Sequence, residues 1–484
     1  MLSSTLIRTD EPQRMSIDGT SFAERAEVGR AARRRLPRSD IADWSLIGVE
    51  RDPISLLEEQ NATRVPELVP LRHARMGVSA FTFYRGAALL MASDLARTPS
   101  SGLTVQLCGD AHMANFGMFA TPERRLVFDA NDFDETLPGP WEWDVKRLAA
   151  SFEVAGRELG LPGSKRAALV RMLGHSYREQ MRKAAAAPVL ASWYERLDAD
   201  GVAALIREAG PGGRMGRAQE QRTREAISQA QTRDSLRAFR KLVVSDGGRL
   251  RFKAQPPLLV PMADIGRLDG RTGSDAETVQ QLLASYTTTL LHEHHPIREF
   301  EFVDMARKVV GVGSVGTRCW VILLRGRDDG DPLILQAKEA QASVLERYVG
   351  PSTAEQHGER VVRGQRLMQS GSDIFLGWQR VIGMDGLQRD FYIRQLYDWK
   401  QSMDVMEMRP EGVLLYARAC GETLARAHAR TGDRVAIAAY LGGSDRFEQA
   451  LEASARRYAD QNDEDYAAFK AAIASGRLET TELM

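Results

Sequence analysis

Cysteine is close to absent: Cys108, Cys319 and Cys420 are the three in a chain of 484 residues. Their wide spacing fits neither a zinc site nor a disulfide framework and points to a reducing compartment. No apolar run approaches the ~20 residues that a membrane span requires. The opening Met1-Leu2-Ser3-Ser4-Thr5-Leu6-Ile7-Arg8 has no apolar segment of the secretory kind. Excess charge is missing as well, since 65 Lys plus Arg offset 65 Asp plus Glu. Nothing in that balance advertises a polyanionic partner. Together these absences predict a cytoplasmic protein with no membrane or nucleic-acid partner. Oligomeric state is not written in them.

What is present describes an ordinary globular chain, with 43% hydrophobic and 27% charged residues. Its length leaves room for about two to four structural units. Residues 1–45 are polar, with a basic patch at Arg30, Arg33, Arg34, Arg35 and Arg38, and read as an exposed or loosely docked tail. Gly210-Pro211-Gly212-Gly213 marks a loop before a charged helix over 217–241. Ser274-Asp275-Ala276-Glu277 has the form of a capping box opening another helix. That helix ends at His292-Glu293-His294-His295, which lacks the spacing of a helical metal-binding pair.

The most informative stretch is Leu107-Cys108-Gly109-Asp110-Ala111-His112-Met113-Ala114-Asn115-Phe116, followed by Asn131-Asp132-Phe133-Asp134-Glu135. It gathers carboxylates at Asp110, Asp132, Asp134 and Glu135 and an amide at Asn115, with a strand expected over 126–128. Magnesium is usually held by one or two carboxylates together with substrate phosphates. Phosphoryl transfer asks a protein for positioning and electrostatics, with little covalent chemistry. The bland alternative is that the acids pair with Arg72, Arg75, Arg85 and Arg147. Against it, so many like charges are costly side by side without a cation.

Asp110-x-His112-x-x-Asn115, a strand, Asp132-Phe133 and then Trp143-Asp144-Val145 resemble the catalytic core of the aminoglycoside phosphotransferases and their kinase-like relatives. That resemblance implies ATP and Mg²⁺ as cofactors. Asp110 would orient or deprotonate an acceptor hydroxyl, and Asn115 and Asp132 would hold the metal. Asp134 and Glu135 would add a second-metal ligand or shape the acceptor site. Asp129 reads as a strand-end acceptor and is the fallback metal ligand. Asp144 falls near a helix N-terminus, where a carboxylate is favoured, and reads as a brace. Cys108 stands where those enzymes carry a His. The run from Phe128 to Asp144 also resembles an uncharacterised bacterial family, domain of unknown function 2252; that likeness extends over most of the chain and brings no activity.

A second stretch, Gly311-Val312-Gly313-Ser314-Val315-Gly316, reads as a Gly-rich hairpin, with strands through 319–324 and 333–338 ending at Lys338. Gly-x-Gly-x-x-Gly alone is weak, but a lysine on a following strand gives it the form of a nucleotide-covering loop, with Gly311, Gly313, Ser314, Gly316 and Lys338 as cofactor-binding residues. Glu355 and Glu359, on a helix expected over 353–368, are candidates to pair with Lys338. Residues 397–400 read as a hinge. Val413, Ala417, Cys420, Leu424 and His428 line one face of a later helix, and His428 reads as a packed core histidine.

In kinase-like enzymes the Gly-rich loop precedes the catalytic Asp, whereas here it follows. The resulting expectation is an α+β, two-lobed, protein-kinase-like fold that is circularly permuted, which close chain termini make physically tolerable. Its helical lobe would span 46–300 and carry the catalytic strip 104–144. A β-rich nucleotide-covering lobe would follow over 301–402, and helices over 403–484 would complete the helical lobe. The rival is that the Gly-rich hairpin is incidental. The expected activity is phosphotransfer to a hydroxyl of an unidentified acceptor. Nucleotidyl transfer by the same site, or a non-catalytic nucleotide-binding module, stays open.

Overall fold

The computed structural model describes residues 20–45, 47, 51–208, 235–268, 276–291, 294–383, 386–396, 401–402 and 405–482. Two bodies of structure dominate: a six-stranded antiparallel sheet and a set of long helices, making a mixed α+β chain.

The sheet runs in the order Gly377–Ile382, Gln388–Gln395, Pro332–Ala340, Cys319–Arg325, Glu301–Lys308 and Leu259–Pro261. Pro332–Ala340 lies inside it and is buried along its whole length. Its run Leu333-Ile334-Leu335 is therefore apolar without alternation, as a strand covered on both faces must be. Lys338 sits opposite Cys319 on one side and Tyr392 on the other. The Gly-rich segment is the turn joining Glu301–Lys308 to Cys319–Arg325, as its glycines predict. After the buried strand, the helix His357–Met368 crosses before the chain returns to the sheet. It begins later than the sequence suggests.

Trp141–Glu158, Gly163–Ala186, Pro410–Thr431 and Arg446–Ala474 form the helical body. Proline opens Pro410–Thr431 at its first turn, where no N–H is needed. Val413, Ala417, Cys420, Leu424 and His428 are all buried on its inner face, the face that the three-and-four spacing predicts. Trp141, fully buried, stacks on Tyr177 with ring centroids 5.6 Å apart. Two small sheets complete the site's scaffold. Thr104–Leu107 pairs with Leu137–Pro140, and Phe116–Ala120 pairs with Leu126–Ala130.

The amino-terminal reading needs correction from residue 21 onward. Phe22–Arg35 is a helix whose Ser21 and Glu24 form a capping box, docked on Arg434–Leu441. Arg25 binds Asp433 at 2.7 Å, and Gly29 abuts the Ala436 carbonyl so closely that a Cβ would lie 2.0 Å from it. Docking through glycine, alanine and one ion pair leaves little apolar signal, which is why the stretch reads as polar. Residues 1–19, the loop at 210–213 with most of the helix expected over 217–241, and the hinge at 397–400 lie outside the described residues.

Candidate active site

Asp110 lies just past the strand Thr104–Leu107, and the turn that presents it is fixed by backbone geometry. Gly109 has φ +85°, and a Cβ there would meet the Glu135 carbonyl at 2.2 Å, so only glycine fits. The N–H groups of Cys108 and Gly109 donate to the two oxygens of Asp144, at 2.7 and 3.0 Å. Asp144 comes from the first turn of Trp141–Glu158. Its Oδ2 is 3.2 Å from His428 Nε2, whose Nδ1 is 2.8 Å from the Tyr177 hydroxyl. Asp144 is thus a brace, and His428 supports it from the core. This buried chain of side chains carries the bracing of the turn.

The Asp110 carboxylate accepts from Arg147 Nε at 2.7 Å, and the guanidinium lies over the Tyr84 ring at 4.2 Å. His112 Nε2 is 3.8 Å from Asp110 Oδ2; burial, helped by Arg85 and Arg147, drives His112 well below the usual histidine range and keeps it neutral. Asn115 donates through Nδ2 to the Asp110 carbonyl at 2.7 Å, so its amide oxygen is the acceptor that remains for a cation. Of the four arginines named as alternative partners for the acids, Arg147 takes Asp110. Arg72 binds Asn61, Gln60 and the Gly86 carbonyl, and Arg75 binds the Gly311 carbonyl at 2.7 Å.

The late hairpin meets the early acidic strip here. Lys338 Nζ bonds to Asp134 Oδ2 and lies 3.8 Å from Asp132 Oδ1. Tyr392 donates to Asp134 Oδ1 at 2.7 Å, and Ser314 Oγ is 3.5 Å from Oδ2. Burial alone would pull the Lys338 ammonium down, but Asp132 and Asp134 outweigh it and hold it well above the ordinary lysine range. Burial likewise works to raise Asp134, and the lysine charge with bonds from Lys338 and Tyr392 overrides it, leaving the carboxyl below its usual range.

One expectation does not fit this geometry. Glu359 does not pair with Lys338: its Oε1 is 2.5 Å from Arg363 and its Oε2 accepts the Glu355 N–H at 3.0 Å. Asp134, expected as a metal ligand, has both oxygens engaged by Lys338 and Tyr392. Asp129 accepts from the Ser370 N–H and hydroxyl, both at 2.9 Å, and is a strand-end acceptor. Among the described residues no three His, Cys, Asp or Glu side chains form a ready metal cage. Asn115 and Asp132 remain as one amide and one carboxylate on a shared cavity wall, and a magnesium ion there would take its other oxygens from phosphates and water.

Two cavities meet at this point. The smaller, about 590 Å³, is walled by Lys308, Val310, Lys338, Arg394 and Leu396. The larger, about 1000 Å³, contains Asp110, His112, Asp134 and Glu135. Arg85, Asn115, Asp132, Gly311 and Ser314 border both. The glycine-rich turn is docked at each end: Gly311 through Arg75, and Gly316 through its carbonyl to the Val65 N–H at 2.8 Å. Val315 between them is fully buried. Tyr392 and Arg394 escaped the sequence reading, because only strand pairing places them beside Lys338.

Glu135 closes the larger cavity's floor, accepting the Val344 N–H at 2.7 Å. Burial is the main cause that lifts its carboxyl from 4.5 to about 7, against the pull of Arg360 and Val344. The folded chain therefore holds this proton more tightly than the unfolded one. That stabilising contribution is complete below pH 4.5 and is lost as pH rises through about 7. Glu135→Gln, which cannot ionise, should gain on wild type between those limits by on the order of 1–3 kcal/mol. Urea unfolding at stepped pH measures the difference; one that does not vary with pH rules this titration out.

An α+β chain with antiparallel sheets and a cleft lined by several charged side chains is the class that the structure defines. By a family model matching residues 64–472, the chain belongs to the family described as an uncharacterised protein conserved in bacteria, domain of unknown function 2252. No curated protein and no solved structure matches it. No helix among the described residues is long and apolar enough to cross a membrane.

Proposed function

We propose that this chain is an ATP- and magnesium-dependent, kinase-like phosphotransferase acting on a hydroxyl of a cytoplasmic acceptor. The observation that carries this reading is the convergence of Lys338, Asp132 and Ser314 with Asn115 at the junction of two cavities. The smaller cavity, with its cations and its apolar edge, suits a nucleotide. The larger, where Asp110 faces in, suits the acceptor.

The strand order supports a kinase-like lobe. A glycine-rich turn joins the first two strands from Glu301, the lysine stands on the third, and a helix follows. Kinases cover and hold ATP phosphates with those same parts in that order. Circular permutation accounts for the catalytic strip preceding this lobe in the chain. A permuted chain would bring a late helix back beside the early strip, and His428, on a late helix, meets Asp144 there.

Bound magnesium would neutralise phosphate charge and orient the terminal phosphoryl group. Asp110 would accept the acceptor hydroxyl's proton as the oxygen attacks the γ-phosphorus, while the bond from that phosphorus to the β,γ-bridging oxygen breaks and ADP leaves with the electron pair. Arg147 holds that carboxylate in place, Lys338 binds phosphate oxygens, and the turn at 311–316 excludes water.

ATP labelled separately on the α- and γ-phosphates, incubated with magnesium and a metabolite extract, tests the proposal. Transfer of the γ-label with loss of activity in chelator is expected. Transfer of the α-label marks nucleotidyl transfer, and binding without turnover marks a nucleotide-binding module.

A further inference from the structure

Lys338 stands inside the sheet with its side chain 4% exposed. An ammonium buried so deeply needs an acceptor that neutralises it. The helix His357–Met368 offers none, because Glu359 is taken by Arg363 and the Glu355 N–H. Asp134 supplies it from the acidic strip, one oxygen on the ammonium and the other on the Tyr392 hydroxyl. Tyr392 is the cross-strand partner of Lys338, so the sheet holds both donors in register around a single carboxylate. The backbone carrying Asp134 is pinned from the same side. Arg360 donates to the Asp134 carbonyl at 2.8 Å and Arg394 to the Asn131 carbonyl at 3.2 Å. Asp132 is the looser neighbour of the lysine, and it borders both cavities.

We propose that Asp134 is the positioning residue for Lys338 and no ligand of the metal: it fixes where the ammonium meets the triphosphate, leaving Asn115 and Asp132 for the cation. This rests on the nucleotide-dependent reading above and deepens it. In kinases a helix glutamate partners the strand lysine; here the partner sits two residues beyond the metal-binding Asp132. One short segment therefore sets both the lysine and the cation, and the distance between them is fixed by the chain itself. The helix His357–Met368 contributes to this anchor through Arg360 on the Asp134 carbonyl, and not through a glutamate.

The test uses the full chain and ATP, with binding followed by calorimetry in the presence and absence of magnesium. A second readout is the titration of Lys338 in protein carrying ¹³C-labelled lysine, its signal identified by loss in Lys338→Arg. Asp134→Asn should weaken metal-free ATP binding by about tenfold, leave the further gain from magnesium unchanged, and move the Lys338 titration to lower pH. Asp132→Asn should remove the magnesium-dependent gain. Asp134→Glu, which keeps the charge, should restore part of the affinity, and melting curves confirm that each variant is folded. Loss of the magnesium gain in Asp134→Asn makes Asp134 a metal ligand and overturns the proposal. An unchanged Lys338 titration overturns it as well. Wild-type protein that binds no ATP, with Lys338 still governed by Asp134, supports the anchor and overturns the nucleotide reading instead.

Discussion

Asp110→Asn should lower ATP turnover by about 10²- to 10⁴-fold, the range a positioned general base contributes, with nucleotide affinity held to within about threefold. Asparagine keeps an oxygen for Arg147 while losing the ability to take a proton. Asp110→Ala is a poorer probe. It leaves a buried guanidinium, now bonded to Asp110 at 2.7 Å, without its counter-charge. Breaking a buried ion pair in this way costs roughly 3–5 kcal/mol, so alanine would confound chemistry with folding. Turnover with labelled ATP, run beside calorimetry and a melting curve for both variants, separates the two effects. Full activity in a folded Asp110→Asn protein would remove Asp110 from the chemistry.

The second large effect is expected at Asp144, which lines neither of the two cavities. Both its oxygens accept from the Cys108 and Gly109 N–H groups, and His428 leans on the same carboxylate. Asp144→Ala strands two backbone donors in the interior, each costing about 1–3 kcal/mol. A loss on the order of 3 kcal/mol in urea unfolding is expected, together with loss of turnover, because the turn that aims Asp110 loses its anchor. Asp144→Asn keeps one accepting oxygen and should fall between. A stability unchanged within about 0.5 kcal/mol in Asp144→Ala would show that the brace contributes nothing.

The local parts of the site were legible because they are local. Asp110 and Asn115 share one turn, Asp132 follows just past the end of the strand Leu126–Ala130, and the glycines of 311–316 announce their hairpin. The face carrying Val413, Ala417, Cys420, Leu424 and His428 was legible for the same reason, its period being that of a helix. Pairings across the molecule were not. Glu359 has the chain position of a lysine partner, yet it pairs one turn along its own helix with Arg363, while strand register brings Tyr392 beside Lys338 and Asp134. Which acid meets the lysine depends on how the sheet docks on the acidic strip, and no spacing encodes that. Phe22–Arg35 was missed for another reason. It buries glycine and alanine against a neighbouring backbone, and small residues leave hydropathy nearly silent.

The anchoring of the 311–316 turn carries a consequence for the cleft. With Arg75 on Gly311, Val65 on Gly316 and Val315 sunk in the core, this roof is bolted down at three points. A turn held so firmly is a preformed stretch of wall, and an occupant of either chamber would meet it already in place.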